Sequence, residues 1–252
     1  TEDGATFVTD ARLRPDGEKG LLVNTLSGYS DYYQKRAMLW EIQSLSRFRT
    51  IAGDPAMQKA FFQIARKFSN FEKPPSVAAY SPAWKGEIHR MRMRIEKERT
   101  PPGQDALAIK TGLGGLMDVE FVAQALCLEN GWHQPNTLEA VAKAAEEKIL
   151  SAKAAQTLAD NYRKLMQVER ILRRWSFAPE SILPKDPAAF YRVAVRCGFE
   201  KASEFQEAVL QSRAEIRQEY NSFFNGTADK AKSSSGALSK RPERKKKLTP
   251  KP

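Results

Sequence analysis

Apolar residues recur at spacings of three and four through most of this chain, and that period commits it to packed helices. The stripes run Met38, Ile42, Leu45, Phe48; then Met57, Phe61, Ile64, Phe68; then Leu158, Tyr162, Leu165, Val168, Leu172, Trp175. Two more follow: Phe190, Val193, Cys197; and Phe205, Val209, Ile216, Tyr220, Phe223. They read as core faces without a chemical role. A further helix is expected over 77–99, interrupted at Pro82 and stopped before Pro101-Pro102-Gly103. Another is expected over 116–130, entered through Gly112, Gly114 and Gly115 after a short extended piece at 106–110. Strand signals are confined to the start: Ala5 to Arg14, the turn-rich Pro15 to Gly20, then Leu21 to Thr25, a hairpin or two strands of a small sheet. The fold class is therefore mainly α with a small β part, with a boundary at Pro101 to Gln104. No repeat of fixed period and no sustained heptad run is present.

Composition narrows the chemistry. Of 252 residues 41% are apolar, and no run approaches the roughly 20 that a spanning helix needs, so no membrane association is expected. Two cysteines, Cys127 and Cys197, and two histidines, His89 and His133, leave no material for a disulfide framework or a Cys/His metal cluster. Neither histidine has a Ser, Cys or paired-ligand context that would make it catalytic. The net charge of +11 is uneven: residues 226–252 hold nine Lys or Arg against Asp229 and Glu243, a net of +7, leaving +4 for the rest. That Lys-, Ser- and Pro-rich segment reads as a disordered basic tail. Nucleic acid is not expected as a partner of the body, and a loose contact of the tail with RNA, DNA or an acidic protein is the alternative. The opening TEDGATFVTD has neither an initiator Met nor a signal-peptide pattern. It reads as the interior of a longer protein.

Three constellations carry candidate chemistry. In Asp10-x-Arg12-Leu13-Arg14-Pro15-x-Gly17, period two places Asp10 and Arg12 on one strand face. A carboxylate with guanidinium groups two and four residues on suits a site holding Mg²⁺ and a polyphosphate; a salt bridge beside a turn is the structural alternative. In Lys110 to Phe121, glycines lead into a helix start with Asp118 and Glu120. Spaced two apart, these acids diverge by about 200° and do not grip one ion; they suit the positive end of a helix, and the glycines a tight entry turn. In Trp40 to Asp54, the apolar members belong to a core stripe, and Glu41 lacks a basic i+4 partner because Leu45 stands there. A distant arginine is the expected holder of Glu41, for structure or for function. Arg90, Arg92, Arg94, Lys97 and Arg99 read as a solvated helix face.

Together and in order, these segments resemble the glutamine synthetase adenylyltransferase family. That family shows V-D-x-R-L-R-P-x-G, G-x-L-V, Y-x-x-Y, W-E-x-Q-x-L-x-R-x-R-x-x-x-G-D, M-R-x-R and K-x-G-x-G-G-x-x-D-[IV]-E-F. Here stand Val8 to Pro15, Gly20 to Val23, Tyr29 with Tyr32 and Tyr33, Trp40 to Asp54, Met91 to Arg94, and Lys110 to Phe121. The resemblance spans about residues 4 to 225. Thr9 intervenes between Val8 and Asp10, and Ala108 stands where the family often has an acid. The family's G-S-x(n)-D-x-[DE] carboxylate pair does not occur.

The resemblance implies a remnant of a polymerase-β-like nucleotidyltransferase palm in residues 1–100, a helical bundle of regulatory or substrate-binding type in 105–225, and the tail in 226–252. It implies Asp10 as a catalytic residue and third metal carboxylate, with the other two upstream of Thr1 and the isolated fragment inactive. Arg12 and Arg14 then lie near nucleotide phosphates or clamp the site, and Lys110 to Phe121 joins the two parts. The implied activity is transfer of AMP from ATP, with Mg²⁺, to a tyrosine of glutamine synthetase, regulating nitrogen assimilation in the cytoplasm in response to glutamine and a PII-type signal protein. The alternatives are the deadenylylating half, which phosphorolyses adenylyl-tyrosine, and a noncatalytic helical interaction module.

Overall fold

The computed structural model describes residues 10–176 and 180–235, with side chains over 10–174 and 180–225. After a single 3₁₀ turn at Gly17–Lys19, nine helices follow among the described residues: α1 Leu26–Lys35, α2 Leu39–Leu45, α3 Pro55–Phe68, α4 Trp84–Arg99, α5 Leu116–Glu129, α6 Thr137–Glu146, α7 Ala152–Ser176, α8 Pro187–Arg196 and α9 Ala202–Ser235. The molecule is mainly helical, as its period demands.

Several helix starts are written locally. Asp54 Oδ1 accepts from the amides of Ala56 and Met57 with Pro55 in the first turn. Asp186 caps Ala189 ahead of Pro187 in the same way, Asn136 Oδ1 caps Leu138, and Thr25 Oγ1 accepts from the Gly28 amide. Each such cap satisfies an otherwise orphaned amide and contributes about 1 kcal/mol.

Helix α5 is the axle. Its residues Leu116, Val119, Val122, Ala125, Leu126 and Leu128 are at most 1% exposed, and it packs against α2, α4, α6, α7 and α9. A helix apolar on every side has nowhere to go but the centre. Around it, α7 and α9 pair through Leu158, Leu165, Val168 and Leu172 against Phe205, Val209, Ile216 and Tyr220. In the last turn of that stripe Phe224 is the buried residue and Phe223 packs beside it. Met38 and Met57 open their stripes exposed, at 61% and 52%, because each sits at a helix start where the face has not yet reached the core. One apolar core runs from Tyr32 to Phe224 across Pro101 to Gln104.

The extended segments fold otherwise than expected. Residues 21–25 are not a strand, and Leu21, Leu22 and Val23 are exposed with no ladder to join. Residues 5–9 of the expected hairpin lie outside the described residues. The pairing seen among the described residues is an isolated antiparallel bridge between Ala108 and Ile182, in which Ile109 N donates to Ser181 O at 3.1 Å and Leu183 N to Leu107 O at 2.9 Å. The helix expected over 77–99 starts at Trp84, beyond Pro82, whose ring cannot sit inside a helix. At the other end α9 keeps its backbone helical to Ser235, past the expected start of the tail at Gly226. Propagating an existing helix through Ala and Lys needs no new nucleus. Residues 236–252 of the expected tail lie outside the described residues.

Candidate functional site

Asp10 and Arg12 come together, but through a turn. The Arg12 amide donates to Asp10 Oδ1 at 3.0 Å, and its guanidinium closes a fork with Nε at 2.9 Å from Oδ1 and Nη2 at 2.6 Å from Oδ2. Both side chains are more than half exposed. The side-chain hydrogen bonds from Arg12, with its backbone amide and charge behind them, hold the Asp10 carboxyl down to about 2. Arg14 turns the other way, donating to the carbonyls of Ala11 at 2.8 Å, Glu18 at 3.1 Å and Gly20 at 3.2 Å. It clamps the loop in which Asp16 and Gly17 adopt positive φ of 60° and 57°. Arg36 Nη1 reaches Asp16 at 2.7 Å and fixes this turn to α1.

Asp10 and Arg14 stand at the edge of a cleft of about 1090 Å³. Its walls come from α2, α4 and α5. From α2 come Trp40, Gln43, Ser44 and Leu45, with Arg47 just beyond its end; from α4 come Met91, Arg94, Ile95, Glu98 and Arg99; from α5 come Phe121 and Gln124. Arg49 and Ile51 continue the wall beyond α2. Five arginines thus meet two acids, Asp10 and Glu98, in one concavity. Arg47 is held by Glu120 at 3.4 Å, whereas Arg49, Arg94 and Arg99 have neither ion pair nor hydrogen bond among the described residues. Gln43 is 3% exposed and donates through Nε2 to Gln124 Oε1 at 2.6 Å; its own Oε1 has no donor. A buried acceptor left so costs about 1–3 kcal/mol.

Two readings of this region change. Trp40, grouped with the core, is 43% exposed on the cleft, because Ile42, about 200° round α2 from it, takes the core side. Glu41 is held by no arginine: it accepts from the Tyr32 hydroxyl at 2.6 Å and from the Met38 amide at 2.7 Å, which begins α2. Sequence reasoning placed Gln43, Arg47 and Arg49 in a candidate segment but gave them no role. The spacing of Trp40, Gln43, Ser44 and Arg47 was the available signal, hidden by the stronger apolar stripe.

On the far side of α4 the remaining motif residues form a buried network. Arg92 is fully buried, correcting its place on a solvated face, and its Nε stands 2.6 Å from Asp118 Oδ1. Arg217 of α9 bridges Asp118 at 3.1 Å and Glu96 at 2.9 Å. Arg92 Nη2 also donates to Gly112 O, and the Gly114 amide to Asp118 Oδ2, both at 3.0 Å. Arg213 donates to the carbonyls of Asp105, Ala106 and Leu113 at 2.6–2.9 Å. Lys110 to Gly115 is thus gripped by its own carbonyls and pressed against α9. A Cβ on Gly114, at φ +67°, would lie 1.9 Å from Arg213 O. Glu120 diverges from Asp118 as its spacing requires, accepting from the Tyr162 hydroxyl at 3.2 Å.

Mg²⁺ prefers near-octahedral oxygen ligation. Among the described residues no three His, Cys, Asp or Glu side chains converge, and Asp10 is already engaged by Arg12. The described residues do not by themselves fit the ion.

Comparison with known proteins decides the lineage. Residues 1–64 match the family model described as glutamate-ammonia ligase adenylyltransferase, and residues 84–224 match that described as GlnD PII-uridylyltransferase. The chain is similar to a protein of Xanthomonas campestris pv. campestris (strain B100) named bifunctional glutamine synthetase adenylyltransferase/adenylyl-removing enzyme, 38% identical over 145 residues, 58% of this chain and 15% of the relative. The chain belongs to the glutamine synthetase adenylyltransferase family. Proteins of the same name from Mycobacterium marinum and Bifidobacterium longum subsp. infantis are 32% and 31% identical over 84% and 83% of this chain, and 22% and 19% of their own length. The chain therefore spans about a fifth of the length of these members of the adenylyltransferase family. No helix among the described residues is long and apolar enough to cross a membrane.

Proposed function

We propose that this chain is the part of a glutamine synthetase adenylyltransferase that closes one nucleotidyl-transfer site, in an enzyme that transfers AMP from ATP to a tyrosine of glutamine synthetase with release of pyrophosphate. The observation that carries this reading is the position of Asp10 at the edge of an arginine-lined cleft in a chain of this family. Residues 1–100 contribute the end of the palm and 105–225 a helical partner, with α4, α5 and α9 locking the two together. Asp10 would supply one carboxylate to a Mg²⁺ site whose remaining ligands come from elsewhere in the enzyme, and Arg12 and Arg14 hold its turn in shape beside the nucleotide. The setting is the cytoplasm, and the controlling signals are glutamine and a PII-type protein.

A second reading has a specific observation in its favour. Asp10 is fully satisfied by Arg12, which suits a noncatalytic module in which the pair is structural. The deadenylylating half shares these motifs, and the named relatives carry both activities in their names. One experiment separates the three. A chain extended upstream, incubated with labelled ATP, Mg²⁺ and unmodified glutamine synthetase, is compared with its Asp10→Asn variant. Label entering glutamine synthetase and lost by orders of magnitude in the variant supports adenylylation. Failure of transfer, with phosphate-driven release of AMP from adenylylated enzyme, assigns the reverse half; failure of both leaves a binding module.

A further inference from the structure

The geometry separates the arginines in and beside the cleft into two classes. Arg12, beside it, commits its fork to Asp10; within it Arg14 gives its donors to three carbonyls, and Arg47 is paired with Glu120. Arg49, Arg94 and Arg99 line the same cleft without a partner among the described residues, and each carries five donors in a planar array that matches phosphate oxygens. Their placement is systematic. Arg94 stands on the α4 face with Met91 and Glu98, about 200° round the helix from the buried Arg92, and Arg99 reaches the same cleft from the last turn of α4. The tertiary structure thus sorts these arginines of α4 into one buried structural cation and two that line a concavity without a partner among the described residues. Beside them Gln43 Oε1 lacks a donor and Trp40 presents an exposed ring, so the cleft offers complements to an anion, an N–H donor and a planar ring together. At about 1090 Å³ it is near the size usual for small organic ligands, about 300–1,000 Å³.

We infer that Arg49, Arg94 and Arg99 form the polyphosphate-binding wall of this cleft, and that they, not Arg12 and Arg14, neutralise the phosphates of a nucleoside triphosphate. The inference rests on the adenylyltransferase reading for the identity of the nucleotide, and on the unpaired arginines for the site itself.

The test is equilibrium binding to the full 252-residue chain in metal-free, low-salt buffer, with inorganic tripolyphosphate and ATP as probes and a poly-glutamate peptide as competitor. Arg49→Gln, Arg94→Gln and Arg99→Gln are each expected to weaken both phosphate probes by about tenfold, the loss of one charge-assisted contact. Arg90→Gln, an exposed change on the same helix but outside the cleft, is expected to leave binding unchanged. ATP is expected to bind more tightly than tripolyphosphate and to quench Trp40 fluorescence. Urea midpoints equal to the parent's exclude misfolding, since all three side chains are exposed. The inference is overturned by absent tripolyphosphate binding, by equal affinity in the three variants, by loss confined to Arg12→Gln or Arg14→Gln, or by poly-glutamate binding where tripolyphosphate does not. Its failure is distinguishable from that of the proposed function: arginine-dependent binding without label transfer sinks the reaction and keeps the site, whereas transfer with an unchanged KM for ATP in the Arg94 and Arg99 variants does the reverse.

Discussion

Arg92 and Asp118, 26 residues apart in sequence, meet at 2.6 Å with neither side chain exposed to solvent. The surroundings compensate their charges in part, with Gly112 O and Glu96 on the arginine and the Gly114 amide and Arg217 on the carboxylate, while Arg92 Nε and Nη1 and Asp118 Oδ1 rely on ion pairing without a well-formed hydrogen bond. Removing one partner leaves a buried charge unmatched, which generally costs about 3–5 kcal/mol. Asp118→Asn and Arg92→Met are each expected to lower urea-unfolding stability by that order. A double substitution of both to apolar residues should recover part of the loss. Equal stability of the parent and the single variants would show the pair to be dispensable.

Gly114 and Gly103 share nearly the same φ, +67° and +69°, but only Gly114 has a neighbour in the way: a methyl carbon there would stand 1.9 Å from Arg213 O, while Gly103 faces open space. Gly103→Ala is expected to cost about 1–2 kcal/mol for the left-handed backbone alone. Gly114→Ala should cost clearly more, because α9 must also shift. Thermal denaturation of the two variants side by side checks the order.

His89 lies against Tyr220, its Nδ1 3.1 Å from the hydroxyl. Burial, and then the Arg217 charge, lower its proton affinity from the ordinary 6.5 despite Asp118 and Glu96 nearby; Arg90 lowers it further. His133, packed on Phe62 and Phe48, is lowered by burial as well. For a depressed histidine the unfolded chain binds the proton more readily, so its contribution is complete above about pH 6.5 and is lost as pH falls through the folded value. Stability is expected to decline below about pH 6.5, and His89→Gln should flatten that slope. A pH series of urea midpoints reads it directly.

The Asp10 carboxyl is held near 2 by Arg12. Arg12→Gln is expected to return it toward 3.8, observable by carboxyl NMR titration. Because both groups are exposed, Asp10→Asn should change folding stability little, as exposed ion pairs generally do. Activity lost by that variant is then a matter of chemistry and not of fold.

Helices α2, α3, α5, α7, α8 and α9 were legible in the chain because their apolar period is local, whereas α1 and α6 carried no stripe that stood out and α4 starts later than expected. Asp10 with Arg12 was legible as a pair for the same reason, although the backbone joining them is a turn. Cys127 sits with its thiol pushed up to about 11 by burial, in keeping with a core residue and not a nucleophile.

What the chain could not disclose is which side of each helix meets which neighbour. Arg92 and Arg94 stand two residues apart in one basic run, and only the packing of α4 on α5 and α9 buries the first and turns the second into the cleft. Glu41 finds Tyr32, and Asp118 finds Arg217, across separations that periodicity does not encode. Sequence determined the family and most of the helices, since period depends on residues within a turn or two of one another. Tertiary structure alone decided which cleft arginines are left without a partner among the described residues, because a charge is paired or left open by partners that the fold brings from far along the chain.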